Sequence, residues 1–403
     1  MGARAGTAIV IAVLLLLAAA PAGVEARAFD VNTPADHKPG KCNARDCTLR
    51  EAVIRANERD GYDRIKIPAE LGPYELTRAG AGEDEAQKGD LDLLEAATDI
   101  KGTGGRAVIR QTVEDRVIHT NPSDIGDFVL TRLTLTGGSG VPAGGALLAE
   151  QDTFFSSGVI RDNRAGVGGG VAVVGSDSRF GGFNNTITDN RATSEGGGLF
   201  VSGPDGVGTG VNLSTVARNR APTGAGVYAA LGDANLAFNN STVALNRATS
   251  ESGASGGGIY TAVSSGTGVT ILGHTTIASN EASTGAANLQ ALDAVQMENT
   301  IVAQSLGGAP SCTFDVDSFG WNLDQEQTCG LDQGTDLQDA EPGLKPLGDY
   351  GGPTETMALK ASSDALEQGD CPGTLVQFGV DQRGESRGPT GPCDIGAFER
   401  PGG

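Results

Sequence analysis

The sequence contains few aromatic residues and only one long apolar run. Phenylalanine, tyrosine and tryptophan make up 4% of the 403 residues, whereas glycine occurs 62 times. This balance predicts many turns around a thin aliphatic core. Beyond the run from Ala8 to Ala20, no apolar stretch approaches the roughly 18 residues that a membrane-spanning helix needs. We therefore expect no transmembrane segment in the mature chain.

Positive charge is also scarce. The chain has 29 lysine and arginine residues against 50 aspartate and glutamate residues, which gives a formal net charge of -21 at pH 7. Because phosphate recognition needs clustered cations, this charge argues against nucleic acid as a partner and against anionic membranes. It favours solubility and cationic or neutral partners.

Common catalytic and metal-binding motifs are missing. The three histidines, His37, His119 and His274, lie far apart in the sequence and lack the spacing of a zinc site. Neither a phosphate loop nor a His-Glu-x-x-His motif occurs. The sequence thus predicts no metal site and no cofactor.

One acidic segment offers an alternative to that prediction. Glu83, Asp84, Glu85, Asp90 and Asp92 lie close together and could gather calcium in a loop near the N-terminal end. Since no spacing fixes a coordination shell, we favour a solvated acidic loop and keep calcium as the alternative.

The first 28 residues have the features of an export signal. Arg4 supplies a positive start, and Ala8 to Ala20 is uncharged and apolar. Val24-Glu25-Ala26 and Ala26-Arg27-Ala28 are two small-residue cleavage sites. We predict a secreted protein, with association to a cell surface as an extension of this prediction and a retained membrane anchor as its alternative.

The six cysteines occur as pairs that are close in sequence. An even number of cysteines in an exported chain indicates disulfide bonds. Many pairings are possible, and proximity favours one of them. The favoured pairs are Cys42–Cys47, Cys312–Cys329 and Cys371–Cys393.

A short phrase recurs through the middle of the chain. Asn-Arg-Ala begins at four positions, and a degenerate copy, Asn-Glu-Ala, begins at a fifth. By subtraction, the spacings are 27, 29, 27 and 34 residues between Asn163, Asn190, Asn219, Asn246 and Asn280. Each phrase follows a short β-rich run, and the first four precede glycines and a second apolar run. This period predicts an all-β solenoid, with about seven or eight turns roughly 4.8 Å apart over residues 101–305.

Residues 29–100 differ from the repeats. Thr48 and Glu51 form a capping box at the start of a short helix, in which Leu49, Ala52 and Val53 share one face. We expect this helix to cover the open end of the solenoid, which otherwise exposes apolar core and unpaired strand edges.

This N-terminal segment resembles the CSLREA-type domain of exported bacterial proteins. The resemblance rests on Cys47-Thr48-Leu49-Arg50-Glu51-Ala52-Val53, Ala56-Asn57 and Gly89-Asp90-Leu91-Asp92. In that family the domain precedes a right-handed parallel β-helix of the pectin-lyase-like kind. The resemblance therefore implies this fold for the repeats, with the short helix as an N-terminal cap.

Residues 306–403 lose the period and resemble a second group. The resemblance is to the C-terminal region of choice-of-anchor Q surface proteins and of chlamydial polymorphic outer-membrane passengers. It rests on Asp349-Tyr350-Gly351-Gly352-Pro353-Thr354, Asp381-Gln382-Arg383-Gly384 and Asp394-Ile395-Gly396-Ala397-Phe398-Glu399. The predicted organisation is a signal peptide at 1–28, a CSLREA-like cap at 29–100, β-helix repeats at 101–305 and a disulfide-containing region at 306–403.

The repeated Asn-Arg pair predicts two files of side chains on the solenoid. We expect the five asparagines to stack at one corner as a structural ladder, each amide bonding the next. The second file, a candidate ligand-binding surface, consists of Arg164, Arg191, Arg220 and Arg247. Like charges about 4.8 Å apart repel unless they are neutralised. We favour internal neutralisation, by Asp162 and Asp189 or by stacked guanidinium planes, over an anionic polysaccharide laid along the file.

Together these features favour a non-catalytic protein that presents an elongated face to glycans or to another surface. The runner-up is a lyase or hydrolase acting on an acidic polysaccharide, because parallel β-helices also carry enzymes that use carboxylates, often with calcium, beside a basic residue. The residues that could supply this chemistry are Asp162, Asp189, Arg191 and Arg220, although no motif marks a catalytic centre. A structural passenger is the third possibility. We expect a monomer with polysaccharide or cell-surface partners.

Overall fold

Short strands wind round one axis and build four parallel sheets, here called sheets one to four. The computed structural model describes residues 27–401 except 60, 95–96, 122–126, 176–177, 204–207, 250–252, 263–265, 376–377 and 389. The predicted export signal, apart from its last two positions, lies outside the described residues. Each full turn passes through sheets one, two, four and three in that order.

Sheets one and two are the longest, with 11 strands each among the described residues. The strands of sheet one are Arg27–Asp30, Asp63–Pro68, Thr98–Thr103, Phe128–Thr131, Thr153–Ser156, Phe180–Phe183, Thr209–Asn212, Leu236–Asn239, Thr270–Gly273, Val295–Glu298 and Asp317–Ser318. The strands of sheet two are Tyr74–Leu76, Ala107–Gln111, Leu133–Thr136, Val159–Arg161, Thr186–Thr188, Thr215–Ala217, Thr242–Ala244, Thr276–Ala278, Ile301–Ala303, Leu323–Asp324 and Leu337–Gln338.

The remaining elements are shorter. Sheet three contains Leu91–Leu93, Ile118–Thr120, Leu147–Ala149, Val171–Val174, Leu199–Ser202, Val227–Ala230, Ile259–Thr261 and Leu289–Ala291. Sheet four contains Val141–Ala143, Arg164–Val167, Arg191–Glu195, Arg220–Ala221 and Arg247–Ala248. An antiparallel pair joins Gly369–Cys371 to Gly391–Cys393, and the helices are α-helix Leu49–Asn57 and 3-10 helix Ala69–Leu71.

The interior is filled by apolar side chains stacked in register. On sheet two, Ile187, Val216 and Val243 occupy paired positions in successive strands and are buried. Sheet one contributes larger side chains, including the fully buried Phe155 and Phe238. Because each turn repeats these inward positions, apolar area is buried continuously along the axis, which stabilises a solenoid.

Left-handed backbone conformations bend the chain at its corners. After sheet two, the corner residues have φ between 54° and 59°, although none is glycine. They are Asp162, Asp189, Arg218, Leu245, Ser279 and Gln304. Between sheets four and three the corner is glycine, as at Gly196, where φ is 64° and an added Cβ would lie 2.6 Å from the Leu199 carbonyl oxygen. Space as well as φ therefore requires glycine at that second corner.

The predicted all-β parallel β-helix with a short N-terminal helix is confirmed. Thr48 Oγ1 accepts a hydrogen bond from the Glu51 N–H at 3.1 Å, and the Glu51 carboxylate accepts one from the Thr48 N–H at 3.0 Å. The capping box thus forms, and the buried face of the helix packs on the strands Asp63–Pro68 and Leu91–Leu93. No helix in the described part of the chain has the length and apolarity to cross a bilayer.

Parallel strands continue on both sides of the predicted repeat segment 101–305, for example at Asp63–Pro68 and Leu323–Asp324. Part of the C-terminal region lies against the outer surface of sheet two, where Gln382 Nε2 donates to Thr215 Oγ1 at 2.9 Å. Another part reaches sheet one, where Leu375 and Phe378 pack on Ala237 and Ile271. All six cysteines are paired, as Cys42–Cys47, Cys312–Cys329 and Cys371–Cys393. This is the pairing predicted from sequence proximity.

Candidate ligand-binding face

The recurring asparagines form a buried ladder at the corner between sheets two and four. Asn190 Nδ2 donates to Asn219 Oδ1 at 3.1 Å, and Asn219 Nδ2 donates to Asn246 Oδ1 at 3.0 Å. The same bond joins Asn163 to Asn190 at 2.9 Å and Asn246 to Asn280 at 3.0 Å. All five side chains are buried. These amides satisfy one another, as buried polar groups must.

The arginines that follow the ladder lie on the exposed surface of sheet four. Register pairs Arg164 with Arg191, Arg191 with Arg220, and Arg220 with Arg247. All four are exposed. Since neighbouring strands lie about 4.8 Å apart, four cationic side chains start from one straight line, here called the arginine file.

The two aspartates expected to neutralise the arginine file have other partners. Asp162 forms an ion pair with Arg161, and Asp189 accepts a hydrogen bond from Thr188 Oγ1 at 2.7 Å. Both aspartates occupy the left-handed corner beside sheet two, a conformation that Asp tolerates better than most residues. The expected ion pairs between these two aspartates and the arginine file therefore do not form among the described residues, although Asp189 lines the same groove as Arg220.

Three of the four arginines of the file, Arg164, Arg191 and Arg220, form no ion pair with any residue that the structure describes. Arg247 pairs with Glu281 at 3.0 Å.

A shallow groove of about 270 Å³ runs along the corner beside this file. Its lining residues are Asp189, Arg218, Arg220, Leu245, Asn246, Arg247, Ser279, Glu281 and Leu306. Arg218 is held from the C-terminal region by Glu355, whose two carboxylate oxygens accept hydrogen bonds at 2.7 and 3.4 Å. These bonds raise the pKa of the Arg218 guanidinium.

The groove brings together two of the four residues considered for catalysis. Asp189 and Arg220 both line it. Asp162 is paired with Arg161, and Arg191 does not line the groove. The second carboxylate present, Glu281, is the partner of Arg247.

An aromatic stack on sheet three was missed by sequence reasoning. Phe200, Tyr228 and Tyr260 occupy paired positions on successive strands and are half-buried. Their ring centroids are 5.4 and 5.3 Å apart, with ring planes within 5° and 6° of parallel. Burial raises the pKa of Tyr228, and nearby Glu195 raises it further.

The three rings are irregularly spaced from the ladder asparagines but regularly spaced from the glycines that precede them. By subtraction, the three rings follow the ladder asparagines by 10, 9 and 14 residues. However, each ring lies two residues after the last glycine of a turn, namely Gly198, Gly226 or Gly258. Counting from the glycines would have found the stack.

The three histidines lie in separate surroundings. His37 is partly exposed and pairs with Asp46 at 3.2 Å. His274 is fully buried and accepts a hydrogen bond from Asn299 Nδ2 at 3.3 Å. His119 lies on sheet three beside acidic residues, which the sequence analysis did not anticipate.

The acidic segment does not gather its five carboxylates around one point. Glu83 accepts the N–H groups of Glu85 and Lys88, each at 2.8 Å. Asp90 is buried near Arg116 Nε at 3.6 Å, and burial raises the pKa of its carboxyl to about 8. Of the five, Asp84 and Asp92 approach one another, together with His119.

Comparison with solved structures finds a protein of the same architecture. The crystal structure of pectate lyase Pel9A aligns with a TM-score of 0.51 and 13% sequence identity, covering 94% of this chain and 98% of that chain. At this identity the likeness establishes a pectin-lyase-like parallel β-helix and no site residue. No protein-family model and no curated protein matches the chain. The resemblances of the two ends to CSLREA-type and choice-of-anchor Q regions stay predictions.

Proposed function

We propose that this protein is exported and binds an acidic polysaccharide along the arginine file without cleaving it. The proposal rests on four exposed arginines that align in register on successive strands, namely Arg164, Arg191, Arg220 and Arg247. Among the described residues, Arg191 and Arg220 form no ion pair. A guanidinium donates two parallel hydrogen bonds to a carboxylate. A polymer with regularly repeated carboxylates would satisfy several of them at once.

The surroundings of the file support a polymer rather than a small anion. The adjoining groove is shallow and polar, unlike the enclosed apolar pockets that hold small molecules. On sheet three, the half-buried rings of Phe200, Tyr228 and Tyr260 present an apolar surface together with the polar tyrosine hydroxyls to a bound polymer. The related fold of a pectate lyase makes pectate a rational first ligand.

Export is supported by the same structure. Three disulfides are typical of proteins that fold in an oxidising compartment. The N-terminal apolar run agrees with that location. Cell-surface association belongs to the same proposal.

A lyase or hydrolase is the second candidate, favoured by the meeting of Asp189 and Arg220 in one groove. In that case the carboxylate and a basic side chain would share proton transfer at a bound uronate. Glu281, which also lines the groove, is paired with Arg247 and not free to act as a base. We therefore place binding ahead of catalysis.

The test combines binding with polymer length. Purified protein is mixed with pectate and, separately, with neutral dextran, and affinity is measured by calorimetry while polymer length is followed by size-exclusion chromatography. We expect pectate to bind at unchanged length. In the double variant Arg191→Glu, Arg220→Glu, affinity should fall about 30-fold or more, since two pairs of about 1 kcal/mol each are lost.

A control variant with the same change in charge separates the file from net charge. Arg110→Glu, Arg161→Glu alters two arginines of sheet two whose side chains are 45% exposed and ion-paired with Glu75 and Asp162. An equal loss of affinity in both double variants would contradict the file as the binding site. Shortening of pectate would establish the enzyme instead, and absence of binding to either polymer would favour a structural passenger.

A further inference from the structure

Asp84, Asp92 and His119 form a polar cluster that polysaccharide binding does not use. Asp92 and His119 are paired on neighbouring strands of sheet three, and Asp84 reaches them from the loop at residues 77–90. One ligand atom from each of the three lies within 4.8 Å of the others. Asp92 is fully buried and His119 is 7% exposed, whereas Asp84 faces solvent.

The protonation of His119 is constrained on one side of the ring. Nε2 lies 2.9 Å from the Glu150 carboxylate, which can only accept a hydrogen bond when ionised, so Nε2 carries hydrogen. In the neutral ring Nδ1 then presents a lone pair. Nδ1 lies 3.3 Å from Asp92 Oδ1 without the alignment of a hydrogen bond, and neither atom has a hydrogen-bond partner among the described residues. Two lone-pair-bearing atoms at this distance repel unless a proton or a cation is shared between them.

The 3.3 Å separation suits a cation. Zinc bonds to imidazole nitrogen and carboxylate oxygen at about 2.0–2.1 Å, and at a tetrahedral angle two such ligand atoms lie roughly 3.3 Å apart. A histidine that binds a metal through one ring nitrogen typically donates its other N–H to a carboxylate, which fixes the orientation of the ring. Glu150 accepts from His119 Nε2 in this way and leaves Nδ1 for the metal.

The charges around the cluster also favour a bound cation. Asp90 and Asp115 are buried nearby, and Asp115 accepts the Asp90 N–H at 3.2 Å. The adjacent cations are Arg116, whose Nε has no hydrogen-bond partner among the described residues, and Arg50, which donates to the Asp90 carbonyl oxygen at 3.0 Å. The raised pKa of Asp90, about 8, leaves that carboxyl largely protonated at pH 7. The carboxylates of Asp84, Asp92 and Glu150 still outnumber these two cations, and a bound divalent ion would offset the excess.

We propose that Asp84, Asp92 and His119 bind a divalent transition-metal ion, for which zinc is the best match. Two carboxylates and one imidazole suit zinc or manganese, whereas calcium takes oxygen ligands alone. A water molecule reaching the site beside exposed Asp84 would complete the coordination. This site is independent of the arginine file.

The experiment measures metal binding directly. The full protein is treated with a chelator, exchanged into chelator-free buffer and titrated by calorimetry with zinc, manganese or calcium chloride. We expect one zinc ion per chain, with calcium bound at least tenfold more weakly. Cobalt binding should give the visible absorption spectrum of a four-coordinate ion, a readout that a purely structural cluster would not produce.

Variants locate the site. Asp84→Asn changes an exposed side chain, so folding should be preserved while zinc affinity falls at least tenfold. Glu150→Gln should weaken zinc by about 10–100-fold through loss of the orienting carboxylate. The control is His37→Gln, which alters the cluster of exposed His37, exposed Asp46 and buried Glu51, a set with the same ligand types. Its zinc affinity should be unchanged.

Two results would overturn the proposal. One is loss of zinc binding in His37→Gln with normal binding in Asp84→Asn. The other is no binding of any ion, together with nitrogen NMR shifts showing His119 protonated on both nitrogens. In that second case, a proton between His119 and Asp92 would be the neutralising cation.

Discussion

The asparagine ladder and the arginine file are built from neighbouring residues of the same repeat, yet they have opposite environments. Asn190 and Asn219 are buried and bonded to each other, whereas Arg191 and Arg220 are exposed and form no ion pair within the described chain. Both files repeat at the same strand spacing. The difference lies in the chemistry of the side chains.

An amide carries both a donor and an acceptor, so a file of identical amides can bond head to tail without another partner. A guanidinium has five donors and no acceptor, so identical guanidinium groups cannot satisfy one another. Stacking in register therefore completes the asparagine ladder and leaves the arginine file in need of an acceptor from outside. This contrast is the physical basis for assigning structure to one file and binding to the other.

Removing one ladder amide should give the largest effect. Asn219 Oδ1 accepts from the Asn190 backbone N–H and from Asn190 Nδ2, at 3.0 and 3.1 Å. Asn219→Ala leaves the Asn190 N–H and one of the two Nδ2 hydrogens of Asn190 without an acceptor, while the other still donates to the Ile160 carbonyl oxygen. We therefore expect a loss of about 3 kcal/mol in the free energy of unfolding. Urea denaturation measures it. A loss below about 1 kcal/mol would show that the ladder is not the main support of this corner.

The buried His274, at the corner between sheets one and two, should make the free energy of unfolding depend on pH, with an effect of intermediate size. Burial, and then the nearby Arg387 cation, lower the pKa of His274 well below its usual value. Below about pH 6.5 the unfolded chain therefore takes up a proton that folded His274 does not. Stability present above pH 6.5 is thus lost as pH falls, by at most about 1.4 kcal/mol per pH unit.

The variant His274→Gln isolates this contribution. Urea denaturation at pH 7, 6 and 5 should show a shallower loss of stability with falling pH in His274→Gln than in the natural protein. His37→Gln is the control of opposite sign, because hydrogen bonds to the Lys38 carbonyl oxygen and to Asp46 raise the pKa of exposed His37, and its removal should make the loss of stability with falling pH no shallower. Parallel pH profiles for the natural protein and His274→Gln would contradict a neutral buried His274.

Removing one arginine of the file should have the smallest effect on stability. Arg220→Ala changes an exposed residue without an ion pair among the described residues, so we expect a change within about 0.5 kcal/mol. Pectate affinity should nevertheless fall about fivefold, the equivalent of one pair of about 1 kcal/mol. Destabilisation as large as that of Asn219→Ala would instead make the arginine file a structural element.

Local patterns were sufficient for several features. The capping box of Thr48 and Glu51 formed as predicted because both residues lie within one helical turn. The repeat predicted the β-helix because identical positions must stack when each turn pairs with the next. The disulfide pairing followed from proximity in sequence, which keeps both cysteines of a pair in one local segment.

Other features depend on contacts between distant segments. Asp92, His119 and Glu150 come together through strand register across successive turns, at separations that no motif records. Glu355 reaches Arg218 from 137 residues away because the C-terminal region folds back along sheet two. The expected ion pair of Asp162 with the arginine file did not form, because Asp162 pairs with the neighbouring Arg161 instead.

The sequence by itself therefore determined the architecture, since a period of short strands and glycines admits continuous burial of apolar area only when the turns stack. It also identified the two files, because both residues recur at the same place in each repeat. Only the tertiary structure decided which charges are neutralised. Ion pairing depends on which arginine lies nearest to each carboxylate and on which arginines the C-terminal region contacts. The spacing of the repeat specifies neither.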